Sequence, residues 1–146
     1  MLPPSIDGDN DFLRLHHVGF VVASIEQAIS GFVYSLNGVW DRKISLDPTQ
    51  RVRVTFLQCP GSDVLIELVE PAEEKSPVQA FLEKGGGLHH LCYEVRDCDA
   101  ALRLMRGRKA MLVKRPNPAV AFGGRRIAWV LTAEKLLLEF LEQAAG

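Results

Sequence analysis

The sequence predicts an α+β fold built from two β-α-β-β-β modules, and three repeated features lead to this prediction. A stretch that opens with Leu-His-His occurs at residues 15–22 and again 73 positions later at residues 88–95. Each copy is followed by apolar residues at helical spacing and then by short stretches typical of strands. Glutamates near the end of each half also recur, at an offset of 72. Self-similarity over so long a period indicates a duplicated structural unit.

Length and composition are those of one soluble globular domain. The 146 residues are 47% hydrophobic and 24% charged, which is enough apolar material for a core of its own. A net charge of -1 gives no electrostatic reason to expect nucleic acid or an anionic membrane as a partner. Cys59, Cys92 and Cys98 form no paired set, so we expect free thiols and a cytoplasmic location. Residues 1–14 lack the pattern of a signal peptide, and we expect an N-terminal tail there.

The first module, residues 15–71, contains one helical pattern between strand patterns. In the opening strand, at residues 15–22, apolar side chains alternate with smaller or polar ones. Ser24 is a suitable N-cap for the following helix, and Asn37-Gly38 supplies its C-terminal end. The other strands are predicted at residues 39–46, 52–58 and 64–69.

A linker helix is predicted at residues 76–87, because Ser76-Pro77 fits an N-cap followed by proline at the first helical position. Three glycines end this helix just before the second module, residues 88–142. That module repeats the plan of the first, with Asp97 as the N-cap of its helix. Its strands are predicted at residues 88–95, 110–113, 126–131 and 136–141.

The last strand is predicted against its local propensity. Leucine and phenylalanine side chains four positions apart favour a helix over residues 134–145. The repeat favours a strand instead, because residues 64–67 align with residues 136–139 when one residue is lost from the preceding turn. Since a repeat constrains many positions together, we predict a strand.

Each module places one histidine on its first strand and one glutamate on its last. These candidate ligands are His17, Glu67, His90 and Glu139. Two imidazoles and two carboxylates suit a divalent first-row metal with open positions for water or substrate. A strand histidine is ordinarily a core or surface residue, but all four histidines of this chain lie in the two equivalent doublets. Both glutamates lie in apolar stretches, where an unpaired carboxylate is costly to bury, and a metal site is therefore predicted.

Strand alternation separates the two histidines of each doublet, because neighbouring residues on a strand point to opposite faces. His16 and His89 share their faces with large apolar residues that can pack beneath the helices. His17 and His90 share theirs with smaller or more polar residues. We therefore expect His17 and His90 to face a cavity as ligands, and His16 and His89 to lie beneath the helices.

Two other features fit either a substrate pocket or an ordinary surface. The arginines at equivalent strand starts could receive an anionic group of a substrate, although a solvated rim is the simpler interpretation. These are Arg51, Arg53, Arg125 and Arg126. Phe122-Gly123-Gly124 has the composition of a mobile lid and equally that of an ordinary turn.

The paired modules resemble the vicinal oxygen chelate superfamily of glyoxalases, bleomycin resistance proteins and dioxygenases. Within it, the sequence is most similar to methylmalonyl-CoA epimerases. The resemblance extends over residues 15–142, and His-hydrophobic-Gly on the first strand is part of it. The matching segments are Ile-Glu-Leu-Val-Glu-Pro at 66–71, Ser-Pro at 76–77, Phe-Leu-Glu-Lys at 81–84 and Gly-Leu-His-His at 87–90.

The resemblance implies one curved, eight-stranded mixed β half-barrel around a single divalent metal held by His17, Glu67, His90 and Glu139. Cobalt, nickel, manganese, zinc and magnesium all fit such a site. It also implies a homodimer and a small acyl-CoA or thioester-like substrate. The metal would stabilise an enolate while Glu139 and Glu67 act as catalytic carboxylates, which makes the protein an epimerase-like enzyme. The alternatives are a glyoxalase I-like lactoylglutathione lyase, or a ligand-binding or resistance protein with the same fold.

One position departs from the epimerase pattern. The third strand of the first module should carry a catalytic glutamate, and that place falls at Val54 or Thr55. Neither side chain can act as a base. The sequence leaves two substitutes open: Glu139 acting alone, or Glu94 as a second base.

Overall fold

A computed structural model describes residues 12–144, and its elements follow the predicted order. The strands of the first half are β1 (Phe12–Val21), β2 (Val39–Trp40), β3 (Ser45–Asp47), β4 (Val52–Gln58) and β5 (Leu65–Pro71). Those of the second half are β6 (Gly87–Val95), β7 (Met111–Pro118), β8 (Arg126–Leu131) and β9 (Leu137–Glu142). The helices are α1 (Ile25–Leu36), α2 (Gln79–Glu83) and α3 (Cys98–Gly107), with a single 3-10 turn at Val120–Phe122. None of these helices is long and apolar enough to cross a membrane.

The strands form one mixed sheet in the order β2-β4-β5-β1-β6-β9-β8-β7, with β3 paired to β4. β1 runs parallel to β5, β6 runs parallel to β9, and the two halves meet where β1 pairs antiparallel with β6. The predicted α+β half-barrel is thus confirmed, with nine strands in place of eight within residues 12–144. The additional strand arises because Arg42 adopts a left-handed conformation (φ 66°), which divides the strand predicted at residues 39–46.

The final segment is a strand, as the repeat predicts. β9 pairs in parallel with β6 and antiparallel with β8, so tertiary pairing overrides the local helical propensity. Along β9, Leu138, Glu139, Phe140 and Leu141 are all buried. A strand that is covered on both faces reads as a continuous apolar run, which explains why it lacks clear alternation.

Several boundaries differ from the prediction for identifiable reasons. β1 begins at Phe12, within the segment predicted as a tail at residues 1–14; residues 1–11 lie outside the described part of the chain. α2 is shorter than residues 76–87 at both ends. It begins only at Gln79, with Val78 and not Ser76 at the N-cap, and it ends before Gly85, Gly86 and Gly87, whose backbone φ angles are positive. β7 extends through Pro118, which an edge strand tolerates because one side of it has no ladder partner.

An equivalent ion pair connects the last long strand of each half to the start of that half's helix. In the first half, Glu70 accepts a hydrogen bond from the first backbone N–H of α1 (2.9 Å) and pairs with Arg53 (2.8 Å). In the second half, Glu142 accepts from the first backbone N–H of α3 (3.0 Å) and pairs with Arg126 (2.7 Å). These two arginines therefore have a structural role and are not substrate ligands in this conformation.

Candidate metal centre

Four buried side chains, two from each half, converge on the cavity face of the four central strands. They are His17 on β1, Glu67 on β5, His90 on β6 and Glu139 on β9. Their exposed fractions are 0%, 5%, 4% and 3%, respectively. One ligand atom from each lies within 4.8 Å of all the others. The structure thus brings together every ligand candidate that the sequence predicts.

The strand register explains why the four side chains meet. Gly19 pairs with Glu67 on one side and with His90 on the other, so all three lie at one level of the sheet. A Cβ at Gly19 would overlap the ring of His90, so a larger residue would fit beneath that ring only if the ring or the strand moved. Cys92 occupies the equivalent place in the second half, beside Glu139.

The distances between the donor atoms are short and nearly equal. Nε2 of His17 lies 3.2 Å from Nε2 of His90, 3.1 Å from Oε1 of Glu139 and 3.4 Å from Oε1 of Glu67. Nε2 of His90 lies 3.1 Å from Oε1 of Glu67 and 3.4 Å from Oε1 of Glu139. Ligands bound about 2.1 Å from one ion in octahedral or tetrahedral geometry are about 3.0–3.4 Å apart. The spacing therefore fits a single cation.

Electrostatics support the same interpretation. Burial by itself would raise the pKa of Glu67 and Glu139, but the two adjacent histidines hold both values below their usual range. Burial likewise would lower the pKa of His17 and His90, but the carboxylates raise both values. The carboxylates thus draw positive charge into a dry site, either as protons on the rings or as a cation that displaces them.

An unpartnered oxygen completes the test of fit. Within residues 12–144, Oε1 of Glu139 is buried and accepts no well-aligned hydrogen bond, although Nε2 of His17 is only 3.1 Å away. Buried polar atoms without a partner are uncommon in folded proteins and often mark an ion or water site. Donor types, spacing and this oxygen all fit a divalent cation.

The histidine that precedes each ligand packs against aromatic rings near the quartet. The predicted position beneath a helix was wrong for His16, which contacts Phe122, whereas His89 does contact a helix residue, Phe81 of α2. In the β1–β6 ladder, His16 is an extra residue between two paired positions, and so is His89 on the opposite strand. Both are β-bulges, which interrupt the alternation of side chains and re-aim the residues they contain. As a result, Nδ1 of His16 lies 2.8 Å from Nδ1 of His17, and His89 makes the same contact with His90 at 2.8 Å.

The two bulge histidines have aromatic surroundings. The ring of His16 packs edge-on against Phe122, and His89 packs against Phe81 and Trp129. Burial, together with the charge of the adjacent ligand histidine, lowers the pKa of both bulge histidines to about 4. Both rings are therefore neutral at physiological pH. His89 also lines the cavity described next.

A cavity of about 440 Å³ opens beside the quartet. Glu67, His90 and Glu139 form its polar floor. Apolar walls come from both halves, and Arg51 and Lys114 add positive charge. The residues of the apolar walls are Val52, Val54, Val69, Pro77, Val78, Val113, Ala119, Ala121, Phe122, Trp129 and Leu137.

Of the two residues at the place where the epimerase pattern has a catalytic glutamate, Val54 and Thr55, one faces the cavity. Val54 lies in the wall, whereas Thr55 faces away from it. The Thr55 hydroxyl accepts a hydrogen bond from Nε1 of Trp40 (2.7 Å) and donates one to the carbonyl of Lys43 (2.5 Å). Val54 therefore occupies the place that faces the cavity, and the wall has no base there.

Glu94 does not lie in the cavity wall, so its suggested role as a second base is not supported. Its carboxylate pairs with Arg125 at 2.9 Å and lies 3.7 Å from Arg14. Partial burial would raise the pKa of Glu94, but Arg125 holds it below the usual value. Asp47 does line the cavity, but its carboxylate is bound to the backbone and side-chain nitrogens of Gln50, both at 3.0 Å.

Phe122 is a contact that the sequence analysis did not assign. Its ring stacks on His17 with 5.8 Å between centroids and packs against Phe56 at 5.6 Å. The only hint in the sequence was a single aromatic residue before two turn glycines. Those glycines have positive φ angles of 64° and 87°, as an ordinary tight turn requires.

Comparison with known proteins identifies the family. A profile of the glyoxalase/bleomycin resistance protein/dioxygenase superfamily matches residues 16–129. This chain belongs to that superfamily. It is 33% identical over 119 residues to an ethylmalonyl-CoA/methylmalonyl-CoA epimerase from Cereibacter sphaeroides, covering 80% of this chain and 87% of the relative.

Solved structures show the same fold. Methylmalonyl-CoA epimerase from Mycobacterium tuberculosis is similar with a TM-score of 0.82 and 29% identity, covering 96% of this chain and 94% of that one. A methylmalonyl-CoA epimerase in complex with methylmalonyl-CoA and NH4+ has the same fold, with a TM-score of 0.76 at 23% identity over 92% and 96% of the chains. The predicted superfamily is confirmed, and the chain is an enzyme of its isomerase or epimerase type.

Proposed function

We propose that this protein is a metal-dependent epimerase that moves a proton at the carbon next to the thioester carbonyl of an acyl-CoA, with methylmalonyl-CoA as the leading substrate. The observation that carries the proposal is the buried cluster of two histidines and two glutamates at the floor of an apolar cavity. The sequence similarity of the chain to an ethylmalonyl-CoA/methylmalonyl-CoA epimerase supports the choice of substrate.

Proton removal beside a thioester carbonyl creates an enolate, whose negative charge must be stabilised. A divalent cation held by His17, Glu67, His90 and Glu139 would supply Lewis-acid stabilisation of that charge. Cobalt, nickel, manganese, zinc and magnesium are the candidate ions. The chain itself supplies the proton acceptors, because both carboxylates are ionised at neutral pH and can accept a proton.

We assign the two catalytic roles to Glu139 and Glu67. Inversion at one carbon requires a proton to leave from one face and return to the other. The two glutamates come from different halves and lie on β9 and β5, the outer pair of the four central strands. One therefore removes the proton while the other returns it, which replaces the glutamate that is absent at Val54.

The remaining cavity residues suit an acyl-CoA. Val54, Val69 and Val78 provide an apolar surface that holds the acyl group and excludes water from the enolate. Arg51 and Lys114 line the same cavity and attract the anionic parts of the substrate. The expected homodimer and cytoplasmic location stay predictions.

Isotope exchange tests the proposed activity. The metal-loaded protein is incubated with one stereoisomer of methylmalonyl-CoA in deuterated water, and mass spectrometry follows the substrate. We expect one deuterium at the carbon next to the thioester, together with formation of the other stereoisomer. Absence of exchange in the presence of bound metal would contradict the proposal.

The same preparation distinguishes the alternatives. Turnover of the hemithioacetal of glutathione and methylglyoxal, without exchange in the acyl-CoA, would identify a glyoxalase I-like lyase. Tight ligand binding without turnover of either compound would identify a binding or resistance protein. Glu83→Gln, on the exposed side of α2, is the matched control for carboxylate substitutions.

A further inference from the structure

Each candidate ligand histidine contacts the ring of the histidine before it, and this contact is the same in both halves. Nδ1 of His17 lies 2.8 Å from Nδ1 of His16, and Nδ1 of His90 lies 2.8 Å from Nδ1 of His89. The rings of each pair are nearly perpendicular, at 79° and 88°, with centroids 5.1 Å apart. Adjacent residues on a regular strand cannot make this contact, and only the two β-bulges permit it.

Two nitrogens 2.8 Å apart require one proton between them, and the rest of the site decides which ring carries it. Nε2 of His17 points at Glu139 and Glu67, where a cation would be bound through a lone pair. A neutral imidazole has only one N–H, so a ring that offers the Nε2 lone pair must carry its proton on Nδ1. The ligand ring is thus the donor in the Nδ1–Nδ1 contact, and the bulge histidine is the acceptor.

We propose that His16 and His89 are positioning residues for the metal site, each accepting the Nδ1–H of the following ligand histidine and fixing the tautomer that presents Nε2 to the ion. This inference rests on the proposed function, because it assumes that the quartet holds a metal. The histidine doublets are then functional pairs, in which the second residue binds the ion and the first orients it.

The use of imidazole as acceptor has an electrostatic consequence. Ligand histidines usually donate their second N–H to a carboxylate, a backbone carbonyl or water. Here Glu67 and Glu139 already balance the two positive charges of a divalent ion, so additional carboxylates would leave excess negative charge in a buried site. A neutral acceptor orients the ligand without changing that balance, which favours histidine in a dry pocket.

Substitutions that separate shape from hydrogen bonding test this role. His16→Phe and His89→Phe keep an aromatic ring but remove the acceptor, whereas His16→Asn and His89→Asn place an amide oxygen close to the position of Nδ1. Affinity for Co²⁺ is measured by competition with a coloured chelator, and the visible spectrum of bound Co²⁺ reports on its coordination. We expect each phenylalanine variant to bind Co²⁺ about 10- to 100-fold more weakly. The asparagine variants should recover most of that loss.

A second measurement avoids substitution altogether. In the zinc-loaded wild-type protein labelled with ¹⁵N at histidine, Nδ1 of His17 and His90 should carry the proton, and Nδ1 of His16 and His89 should not. The opposite assignment would overturn the inference even if a variant fails to fold. Equal Co²⁺ affinity in wild type, phenylalanine and asparagine variants would also overturn it.

The outcomes separate this inference from the proposed activity. Tight Co²⁺ binding with the expected difference between variants, but no deuterium exchange, would support the positioning role and reject the epimerase. If the wild-type protein exchanges deuterium but all variants bind Co²⁺ equally, the epimerase is supported and the positioning role is rejected. A wild-type protein that binds no Co²⁺ at all would overturn both the metal site and the positioning role.

Discussion

The two halves of this protein differ most clearly at one pair of equivalent positions, Gly19 and Cys92. A side chain at Gly19 would overlap the ring of His90, whereas the thiol of Cys92 fits beside the ring of His17. Burial and the nearby Glu139 raise the pKa of that thiol, so it is a neutral neighbour and not a ligand thiolate. The candidate ligands are thus equivalent in the two halves, whereas the residue packed against each ligand ring is glycine in one half and cysteine in the other.

A second pair of equivalent positions is alike in both halves. Val54 on β4 and Ile127 on β8 are both buried and apolar. Neither half therefore supplies a base from this strand, and the carboxylates available for chemistry are the symmetric pair on β5 and β9. The comparison leads to four predictions, which test whether equivalent residues of the two halves contribute equally to activity and to stability.

The largest effect is expected from Glu67→Gln and Glu139→Gln. If the halves contribute equally to proton transfer, each substitution should lower the rate of epimerisation by about 100- to 10,000-fold, because each removes one proton carrier. Exchange from each stereoisomer is measured separately in deuterated water. A variant that loses activity with only one stereoisomer identifies the face that its glutamate serves.

Equal activity of Glu139→Gln and the exposed control Glu83→Gln would exclude Glu139 as a proton carrier. Metal content is measured in every variant, because both glutamates are also candidate ligands. Loss of activity with full metal content reports on the proton transfer itself.

The next largest effect is expected from Gly19→Ala. The new methyl group would overlap the ring of His90, so the ring or the strand must move. Overpacking of this kind costs about 1–3 kcal/mol of unfolding free energy. Cys92→Ala, at the equivalent position, removes only one sulfur atom and should cost less. Urea unfolding of both variants measures the difference, and a Gly19→Ala variant as stable as wild type would show that the ring has room to move.

The ion pairs at the start of each helix should differ by a smaller amount. Arg126 pairs with Glu142 (2.7 Å), Asp99 (3.2 Å) and Asp97 (3.7 Å), while Arg53 pairs with Glu70 (2.8 Å) and, at a longer distance, with Glu26 (3.4 Å). Both arginine side chains are more than a third exposed, so solvent screens these pairs. We expect Arg126→Met and Arg53→Met to cost no more than about 1 kcal/mol each at neutral pH, the former more. Thermal unfolding of the two variants side by side provides the comparison, and equal losses would contradict it.

The smallest effect concerns acid stability of the second half. Arg126 holds the pKa of Glu142 below 4.5, its ordinary value. Because the folded-state pKa is the lower one, this carboxylate contributes stability above about pH 4.5 that is lost as the pH falls through the folded value. Arg126→Met should therefore reduce the difference in stability between neutral and acidic solution. Unfolding midpoints measured from pH 7 down to pH 3 test this, and an unchanged pH profile would contradict it.

The repeat was the most informative part of the sequence. It correctly predicted the strand at β9 against local propensity, and it selected the four side chains that the fold brings together. Alternation also placed His17 and His90 on the cavity face. It failed for His16 and His89, because a β-bulge adds one residue and changes the direction of side chains without any mark in the pattern.

Contacts between distant residues were beyond the sequence for a similar reason. Glu94 shares a face with His90, but its pairing with Arg14 and Arg125 depends on segments that only the folded chain brings together. Whether Val54 or Thr55 faces the cavity depends on the register of one strand, which the Trp40–Thr55 hydrogen bond reveals. Local sequence patterns therefore predict on which face of a strand a polar residue lies, whereas its contacts depend on the packing of distant segments.

The antiparallel pairing of β1 with β6 joins the two halves, and the candidate ligands lie on both sides of it. An ion held by all four side chains would therefore bind only when this central pairing is closed. By linkage, such an ion would suppress the local opening of β1 and β6 as much as its affinity allows. Amide hydrogen exchange along these two strands would then slow as metal is added, so that the protons at the middle of the sheet record the occupancy of the site.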